Sequence, residues 1–449
     1  MGRDRYLDHK KERELQRTYR GRAERDEREQ PLPRVGPERA VVTGSYPRAG
    51  EDASDSLAEM IELLRTARAE VVAQLTQHRH DPDPRTYLGK GKLEELRELV
   101  HQVEPDVVAV DGELSAGQQR HLEDRLQVRV VDRTAVILDI FALHATTAEG
   151  KLQVELAQLE YSYSRQEGLW QHLERLGGGV GTRGPGESQL ESDRRMVRDR
   201  MGLLRRRLRA VARSREVMRG RRLESGVPRV ALAGYTNAGK SSLMNALAGA
   251  EVPVDDALFE TLDATTRAIE RRGHRILLSD TVGFIRGLPH QLVEAFRSTL
   301  EEVRDADLVL HVADASEPEH RRLAQARAVE DVLEEIGAGA IPRLLVLNKA
   351  DLLDAEERAA LRGRHPRALL VSARSAEGLE ALRDRLADVA RARLTPVDLI
   401  IPHDDGATLS AVYAHGREIH QEPVDGGTRV TALLPPATAA RLVSPTAAP

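Results

Sequence analysis

The sequence predicts an α/β protein in three folded parts. A central domain on a mixed, mostly parallel sheet follows a smaller α/β domain with an antiparallel helical hairpin, and a small α+β domain comes last. Three observations predict this order. Apolar strands alternate with helices in residues 51–146 and 226–394, as in parallel sheets. Residues 147–225 carry apolar side chains at heptad spacing. Residues 397–449 follow the order strand, helix, strand, strand, helix.

Composition narrows the class of protein before any motif is considered. The chain has 449 residues, of which 40% are hydrophobic, and this length predicts about three domains. It contains no cysteine, which excludes disulfides, thiolate metal sites and cysteine nucleophiles. No apolar run has the length of a membrane span, and no signal-peptide core follows Met1. We therefore expect a cytoplasmic protein without a membrane span.

The first 50 residues predict a charged, mobile extension. Among the first 30 positions, 10 are Lys or Arg and 8 are Asp or Glu. Such a segment has too few apolar side chains to bury a core. Residues 51–146 then predict the first folded domain, in which repeated strand–helix units form a small parallel sheet.

The helical hairpin, residues 147–225, is predicted from two apolar seams. Their members are Leu152, Leu156, Leu159 and Tyr163 on the first helix, and Val197, Met201, Leu204, Leu208 and Val211 on the second. These steps of three and four are typical of a two-stranded helical pair. The tip between them, residues 177–187, has six glycines, so it can follow an irregular surface and become ordered on contact.

The second helix of this hairpin is strongly basic. The chain as a whole has a net charge of −5, but residues 188–224 hold 13 Arg, no Lys and 5 acidic residues, a local net charge of +8. Arginine binds phosphate bidentately and stacks on bases. We predict RNA contacts here, with the candidates Arg183, Arg205, Arg206 and Arg207. The alternative is a helix face and a loop that are merely solvated.

A phosphate-binding loop is predicted between an apolar strand and a helix in residues 230–247. The string is G-x-x-x-x-G-K-S, so consecutive backbone N–H groups converge on phosphate oxygens at the start of a helix. We expect Lys240 to reach the β- and γ-phosphates and Ser241 to hold Mg²⁺. The predicted nucleotide-binding residues of this loop are Gly234, Tyr235, Thr236, Asn237, Ala238, Gly239, Lys240, Ser241 and Ser242.

Two further segments complete the predicted phosphate site. A buried strand ends in D-x-x-G at Asp280, Thr281, Val282 and Gly283. The Asp280 carboxylate can hold Mg²⁺ through water, and the Gly283 N–H can face a γ-phosphate. In the connection before that strand, a threonine can coordinate Mg²⁺ while the γ-phosphate is present. Thr265 is the first choice and Thr266 stays open as the alternative.

Phe284 follows D-x-x-G directly. Small GTPases that position water with a glutamine carry it at this place, and a phenylalanine has no group that could do so. We therefore expect slow intrinsic hydrolysis, with another group or a partner completing the site.

A guanine site is predicted from N-K-x-D at Asn348, Lys349 and Asp351. The Asp351 carboxylate can accept hydrogen bonds from the N1–H and the 2-amino group of guanine, whereas adenine would leave it unpaired. Ser372 and Ala373, at the end of the next strand, match the loop whose backbone reads guanine O6. Together the segments predict a GTPase, with Lys240, Thr265, Asp280 and Gly283 as catalytic residues.

With these motifs the chain resembles the HflX family of translational GTPases. The resemblance rests on TYLGKGK at 86–92, EGKLQVELAQL at 149–159, the Gly-rich tip with SQLE, GYTNAGKS at 234–241, DTVGF at 280–284 and NKAD at 348–351. It implies a GTP-binding protein, with Mg²⁺, that binds the large ribosomal subunit and its RNA. It also implies that the protein splits stalled or idle ribosomes, which stimulate hydrolysis.

Two other functions compete with that expectation. One is a regulatory switch that acts through a protein partner, with the basic hairpin as a scaffold. The other is an RNA-remodelling NTPase, although no second phosphate-loop motif occurs in the N-terminal domain. The free protein is expected to be monomeric.

Overall fold

The structure, a computed structural model, describes residues 36–47, 51–176, 185–224, 227–249, 258–259, 265–286 and 297–443. Arg183 and most of the glycine-rich tip lie outside these ranges, as do residues 1–35. The helices of the described ranges are all too short or too polar to cross a bilayer.

The N-terminal domain is a four-stranded sheet with helices on its faces. Its elements are β1 Glu38–Tyr46, α1 Glu51–Thr66, β2 Ala69–His78, α2 Lys90–Val103, β3 Val107–Asp111, α3 Ala116–Leu126, β4 Arg129–Asp132 and α4 Arg133–His144. The strands are all parallel and lie in the order β2-β1-β3-β4. The predicted parallel sheet is confirmed, since each crossover carries a helix that covers it.

The strand β1 corrects the prediction for residues 1–50. Residues 38–46 do not belong to an extension; they form an inner strand that pairs with both β2 and β3. Ala40, Val41 and Val42 are fully buried in it. The sequence argument was wrong here because charge and proline content were averaged over 50 residues, and this hid a short apolar segment at the end.

The hairpin consists of α5 Ala148–Leu176 and α6 Pro185–Glu224. Its predicted seam is confirmed in the described part, where Leu156, Met201 and Leu204 are buried against the other apolar residues of both series, except Val211. The helices run antiparallel, because Arg194 and Arg198, early in α6, stack on Tyr163, late in the described part of α5. Arg200 and Arg205 pair with acidic residues of α5.

The central domain is a six-stranded sheet covered by helices. Its elements are β5 Arg229–Gly234, α7 Lys240–Ala248, β6 Thr265–Arg271, β7 His274–Asp280, α8 Arg297–Arg304, β8 Leu308–Asp314, α9 Glu319–Glu335, β9 Arg343–Asn348, a 3₁₀ turn Ala350–Leu352, α10 Ala355–Arg364, β10 Leu369–Leu370 and α11 Leu379–Ala392. The order is β10-β9-β8-β5-β7-β6, and only β6 runs antiparallel to its neighbour. The sheet is mixed and mostly parallel, as predicted.

The C-terminal part has the predicted β-α-β-β-α order. It comprises β11 Thr395–Pro402, α12 Gly406–His415, β12 Arg417–Val424, β13 Gly427–Leu434 and α13 Pro436–Val443. These strands form an antiparallel sheet in the order β11-β13-β12. It begins at Thr395, two residues before the predicted boundary.

The N-terminal and central domains share one hydrophobic core. Met60 and Phe141 of the first domain lie in the same buried cluster as Phe259 and Phe284 of the second. The rings of Phe141 and Phe259 meet edge to face with centroids 4.7 Å apart. Arg321 of α9 forms an ion pair with Asp55 of α1 across the same boundary. The two domains are therefore packed together.

Candidate functional site

The loop between β5 and α7 has the backbone that phosphate binding requires. Asn237 and Gly239 adopt left-handed φ values of 58° and 80°, and the helix begins at Lys240. A Cβ on Gly234 would lie 2.2 Å from the Val312 oxygen, and one on Gly239 would lie 2.4 Å from Asn348 Nδ2. A side chain at either position would clash with these atoms, so both glycines are required. The loop leads into the N-terminus of α7, where backbone amides can bind an anion.

Lys240 and Ser241 are held at the base of this loop. The Lys240 side chain is buried, and its Nζ donates to the Tyr235 carbonyl at 2.9 Å. The Ser241 hydroxyl donates to Asp280 Oδ2 at 2.7 Å. The structure thus brings a hydroxyl and a carboxylate oxygen together, which is the oxygen chemistry that Mg²⁺ prefers.

The D-x-x-G segment is folded against the phosphate loop. Phe284 N donates to the Gly234 carbonyl at 3.1 Å, and Thr236 N donates to the Phe284 carbonyl at 2.8 Å. A Cβ added to Gly283 would lie 3.1 Å from Lys240 Nζ and 2.9 Å from a Thr236 methyl carbon. Gly283 therefore lies beside the lysine, where the sequence analysis expects its amide to face a γ-phosphate.

The remaining D-x-x-G side chains secure the segment to the sheet. Asp280 and Thr281 are fully buried, and Val282 is nearly so. The Thr281 hydroxyl donates to the Leu232 carbonyl at 2.7 Å. The Thr281 amide donates to Asp280 Oδ1 at 3.0 Å. These bonds orient the Asp280 carboxylate toward Ser241.

Phe284 has a structural use that the sequence analysis did not foresee. Its ring is fully buried in the core shared by the two domains. Its backbone supplies both bonds to the phosphate loop. The side chain therefore anchors the D-x-x-G segment instead of facing the nucleotide edge.

The N-K-x-D residues form one cluster with the loop at Ser372. Asn348 Nδ2 donates to the Ala238 carbonyl at 3.0 Å, and its Oδ1 accepts from Ala373 N at 3.1 Å. Asp351 Oδ1 accepts from the Ser372 hydroxyl at 2.6 Å. Asn348 therefore ties the phosphate loop to the loop that is expected to read guanine O6, and Ser372 holds the Asp351 carboxylate.

Lys349 adopts a left-handed backbone with φ of 63°. Its Nζ forms an ion pair with Asp314 Oδ2 at 2.7 Å. This holds the lysine over the ends of β8 and β9. The residues predicted to bind the base thus all lie at one edge of the sheet.

The two candidate threonines begin β6. Thr265 lies opposite Asp280 in the antiparallel ladder, and Thr266 lies opposite Ser279. The Thr266 and Ser279 hydroxyls are 3.0 Å apart. Because opposite residues share a face of the sheet, Thr265 is on the Asp280 face and Thr266 is on the other.

Of the predicted RNA contacts, Arg205, Arg206 and Arg207 are exposed on α6. Arg205 pairs with Glu160 at 2.8 Å. Part of the positive charge of this helix is therefore balanced by α5, which the charge count of one helix did not include.

Sequence reasoning missed the side-chain role of Tyr235. It assigned this residue to the phosphate loop through its backbone, but its hydroxyl donates to Glu59 of α1 and accepts from Arg286 N at 2.8 Å. Burial, then the neighbouring Glu59 carboxylate, raises the pKa of Tyr235 far above its usual range, so the hydroxyl stays protonated. No motif marks Glu59, which is 176 residues away in the chain.

Three family models match consecutive parts of the chain. The model described as GTP-binding GTPase N-terminal matches residues 54–142, and GTP-binding GTPase Middle Region matches 144–222. The model described as 50S ribosome-binding GTPase matches residues 229–349. Together with the phosphate loop, D-x-x-G and N-K-x-D, these matches define the protein as a P-loop GTPase.

Curated relatives cover nearly the whole chain. It is 44% identical over 398 residues to GTPase HflX of Lacrimispora saccharolytica, and the matched region covers 88% of this chain and 92% of the relative. It is 44% identical over 379 residues to GTPase HflX of Escherichia coli, with coverage of 84% and 88%. A crystal structure titled as an SsGBP and GDP complex is 26% identical, with a TM-score of 0.45 and coverage of 79% and 98%. The chain belongs to the HflX family of GTPases, and it binds and hydrolyses GTP.

Proposed function

We propose that this GTPase binds the large ribosomal subunit when it carries GTP and dissociates stalled or idle ribosomes, and that the ribosome stimulates hydrolysis. The observation that carries the proposal is the extent of the HflX likeness. It includes the arginine-rich hairpin as well as the nucleotide site, with family models at 144–222 and 229–349. The second of these models is described as ribosome-binding.

The nucleotide is expected to lie along the carboxyl edge of the central sheet. The loop amides from Tyr235 to Ser242 and the Lys240 ammonium would hold its phosphates, and Gly283 N–H would meet the terminal one. Asp351 would accept from guanine, while Asn348 and Ala373 position the base-reading loop. Each role agrees with the hydrogen bonds that already orient these groups.

Mg²⁺ fits the oxygen pair of Ser241 and Asp280. Ser241 would be a direct ligand, Asp280 would hold the ion through water, and Thr265 would join them when the γ-phosphate is present. The cross-strand position of Thr265 supports it over Thr266, whose hydroxyl is engaged with Ser279. When bound, the ion supplies positive charge that stabilises the phosphate oxygens during transfer.

Slow hydrolysis without a partner follows from Phe284. Its ring is buried, so it cannot orient the attacking water, and none of the predicted site residues has that role. A group brought by the ribosome would complete the site, as activators in trans do for other GTPases. Rapid hydrolysis of GTP would then occur only while the protein is bound to the ribosome.

The hairpin supplies the proposed RNA contact. Arg206 and Arg207 are exposed on α6, next to Arg205. Contacts of arginine with RNA phosphates release counterions, so the affinity should fall steeply with salt. Reversal of all three charges is therefore expected to weaken ribosome association at least tenfold while free GTP affinity is unchanged.

Sedimentation with purified ribosomal subunits tests the proposal. A non-hydrolysable GTP analogue should give strong pelleting with the large subunit, and GDP should give little. The triple variant Arg205→Glu, Arg206→Glu, Arg207→Glu should lose this binding. The matched control reverses three exposed arginines of the central domain, Arg362, Arg367 and Arg385.

Two results would refute the proposal. One is equal pelleting with GTP analogue and GDP. The other is binding that survives both RNase digestion and the triple reversal, which would favour a protein partner. Splitting is followed separately, by the appearance of free subunits from intact ribosomes in sucrose gradients.

A further inference from the structure

The N-terminal domain forms hydrogen bonds with the central domain at Tyr235, Leu258 and Phe259. The Tyr235 hydroxyl donates to Glu59 of α1. Leu258 N donates to the Thr66 hydroxyl at 3.3 Å, and His144 Nδ1 lies 2.8 Å from the Phe259 carbonyl. Leu258 and Phe259 precede the switch threonine by only a few residues. The first domain thus touches the phosphate loop and the approach to the switch.

The Tyr235 hydroxyl is the point where three segments meet. It belongs to the phosphate loop, it donates to Glu59, and it accepts from the Arg286 amide at 2.8 Å. Arg286 lies three residues after Gly283. Between them, Phe284 is bonded to Gly234 and Thr236, so the whole stretch after D-x-x-G is fastened to the phosphate loop at two places.

Glu59 is itself held rigidly. Its other carboxylate oxygen pairs with Arg133, whose Nη1 donates to Asp111 Oδ1 at 2.8 Å. Asp111 in turn accepts from the Tyr46 hydroxyl at 2.7 Å. The carboxylate is largely buried, with 13% of its side chain exposed. Both carboxylate oxygens of Glu59 and both of Asp111 have a partner in this buried chain, and such a network favours one arrangement of its members.

We propose that Glu59 is a positioning residue for GTP recognition. By fixing the Tyr235 hydroxyl, it holds the segment after D-x-x-G so that the Gly283 amide is preorganised beside Lys240. Only a nucleotide with a γ-phosphate uses that amide, so docking of the N-terminal domain selects GTP over GDP. By reciprocity, GTP tightens the docking of that domain on the central one. The inference rests on GTP binding alone, and not on the ribosome.

The test is the ratio of the affinities for a non-hydrolysable GTP analogue and GDP, measured on the full chain by fluorescent nucleotide displacement. Tyr235→Phe removes only the hydroxyl and keeps the loop amide, and it should lower this ratio about tenfold. Glu59→Ala should do likewise. The double variant should lose no more than either single one, because both changes break the same link.

Tyr161→Phe is the matched control. Its hydroxyl also donates to a carboxylate, that of Asp132 at 2.7 Å, but on the side of α5. It should leave the ratio unchanged. If the Glu59 variant fails to fold in a thermal unfolding scan, the tyrosine variant still decides. The inference is overturned if GTP analogue and GDP weaken equally, if the ratio does not change, or if the two losses add.

Discussion

The sheets of the N-terminal and central domains differ in the groups that their strand-end aspartates contact. In the N-terminal domain, β3 and β4 end in Asp111 and Asp132, and both carboxylates are taken by the chain's own groups. Arg133 pairs with the first and Arg165 with the second. In the central domain, β7 also ends in an aspartate, but Asp280 accepts from the Ser241 hydroxyl and the Thr281 amide beside a glycine-rich loop.

This difference shows that topology supplies an edge and the loops decide its use. Parallel α/β sheets tend to bind ligands at the carboxyl ends of their strands. Where arginines already pair with the carboxylates of an edge, its polar groups serve stability. An edge with a glycine-rich loop and backbone amides at a helix start can bind an anion.

The largest effect is expected from a substitution at the carboxyl edge of the central sheet, where the nucleotide is proposed to bind. Lys240→Ala removes the ammonium expected to bind the β- and γ-phosphates, and GTP turnover should fall about a thousandfold, the scale of losing one preorganised charge. A phosphate-release assay on the full chain measures this. Turnover that persists would show that another part of the chain binds the nucleotide, and the contrast between the two edges would not hold.

At the carboxyl edge of the N-terminal sheet, loss of an arginine should lower the stability of the protein without weakening nucleotide binding. Arg165→Met leaves the Asp132 carboxylate, only 1% exposed, without its cation. The free energy of unfolding should fall by about 3 kcal/mol, measured by urea denaturation. Guanine nucleotide affinity of the folded protein should not change. A weaker affinity at constant stability would mean that this edge also takes part in nucleotide binding.

Asp351→Asn tests whether the carboxyl edge of the central sheet selects the guanine base. It removes the carboxylate that is proposed to accept two hydrogen bonds from guanine, so GTP affinity should fall about a hundredfold. The amide can donate to the 2-oxo group of xanthine, so xanthosine triphosphate should gain. Competition between the two nucleotides measures the exchange. An unchanged preference for GTP would remove Asp351 from the base-reading role.

The smallest effect concerns a buried ionisable group that the central sheet keeps neutral. Burial, with a smaller contribution from Arg343, lowers the pKa of His311 to about 4. The unfolded chain binds this proton below about pH 6.5 and the folded chain does not. Stability is therefore complete above pH 6.5 and falls as the pH decreases toward 4.

The measurement compares wild type with His311→Leu by urea denaturation at pH 7 and pH 5. The wild type should lose about 2 kcal/mol more than the variant between these values. Equal losses would show that His311 binds its proton equally well in the folded and the unfolded chain.

Much of the fold and site could be predicted because the signals are local. The phosphate loop, D-x-x-G and N-K-x-D each follow an apolar strand, and strand ends of a parallel sheet meet at one edge. The link from Tyr235 to Glu59 could not be predicted, because it joins residues from two domains through side chains that no motif contains. The buried anchor role of Phe284 was missed for a related reason. The absence of glutamine was informative, but where the ring packs depends on the neighbouring domain.

The inner position of β1 has a practical consequence for anyone who shortens this protein. The N-terminal family model begins at residue 54, after the strand Glu38–Tyr46 has already ended. A fragment trimmed to that boundary would lack the strand that joins β2 to β3. The edges of β2 and β3 that pair with β1 would be exposed, and exposed edges tend to pair with other molecules. Aggregation of such a fragment would therefore say nothing about the intact enzyme.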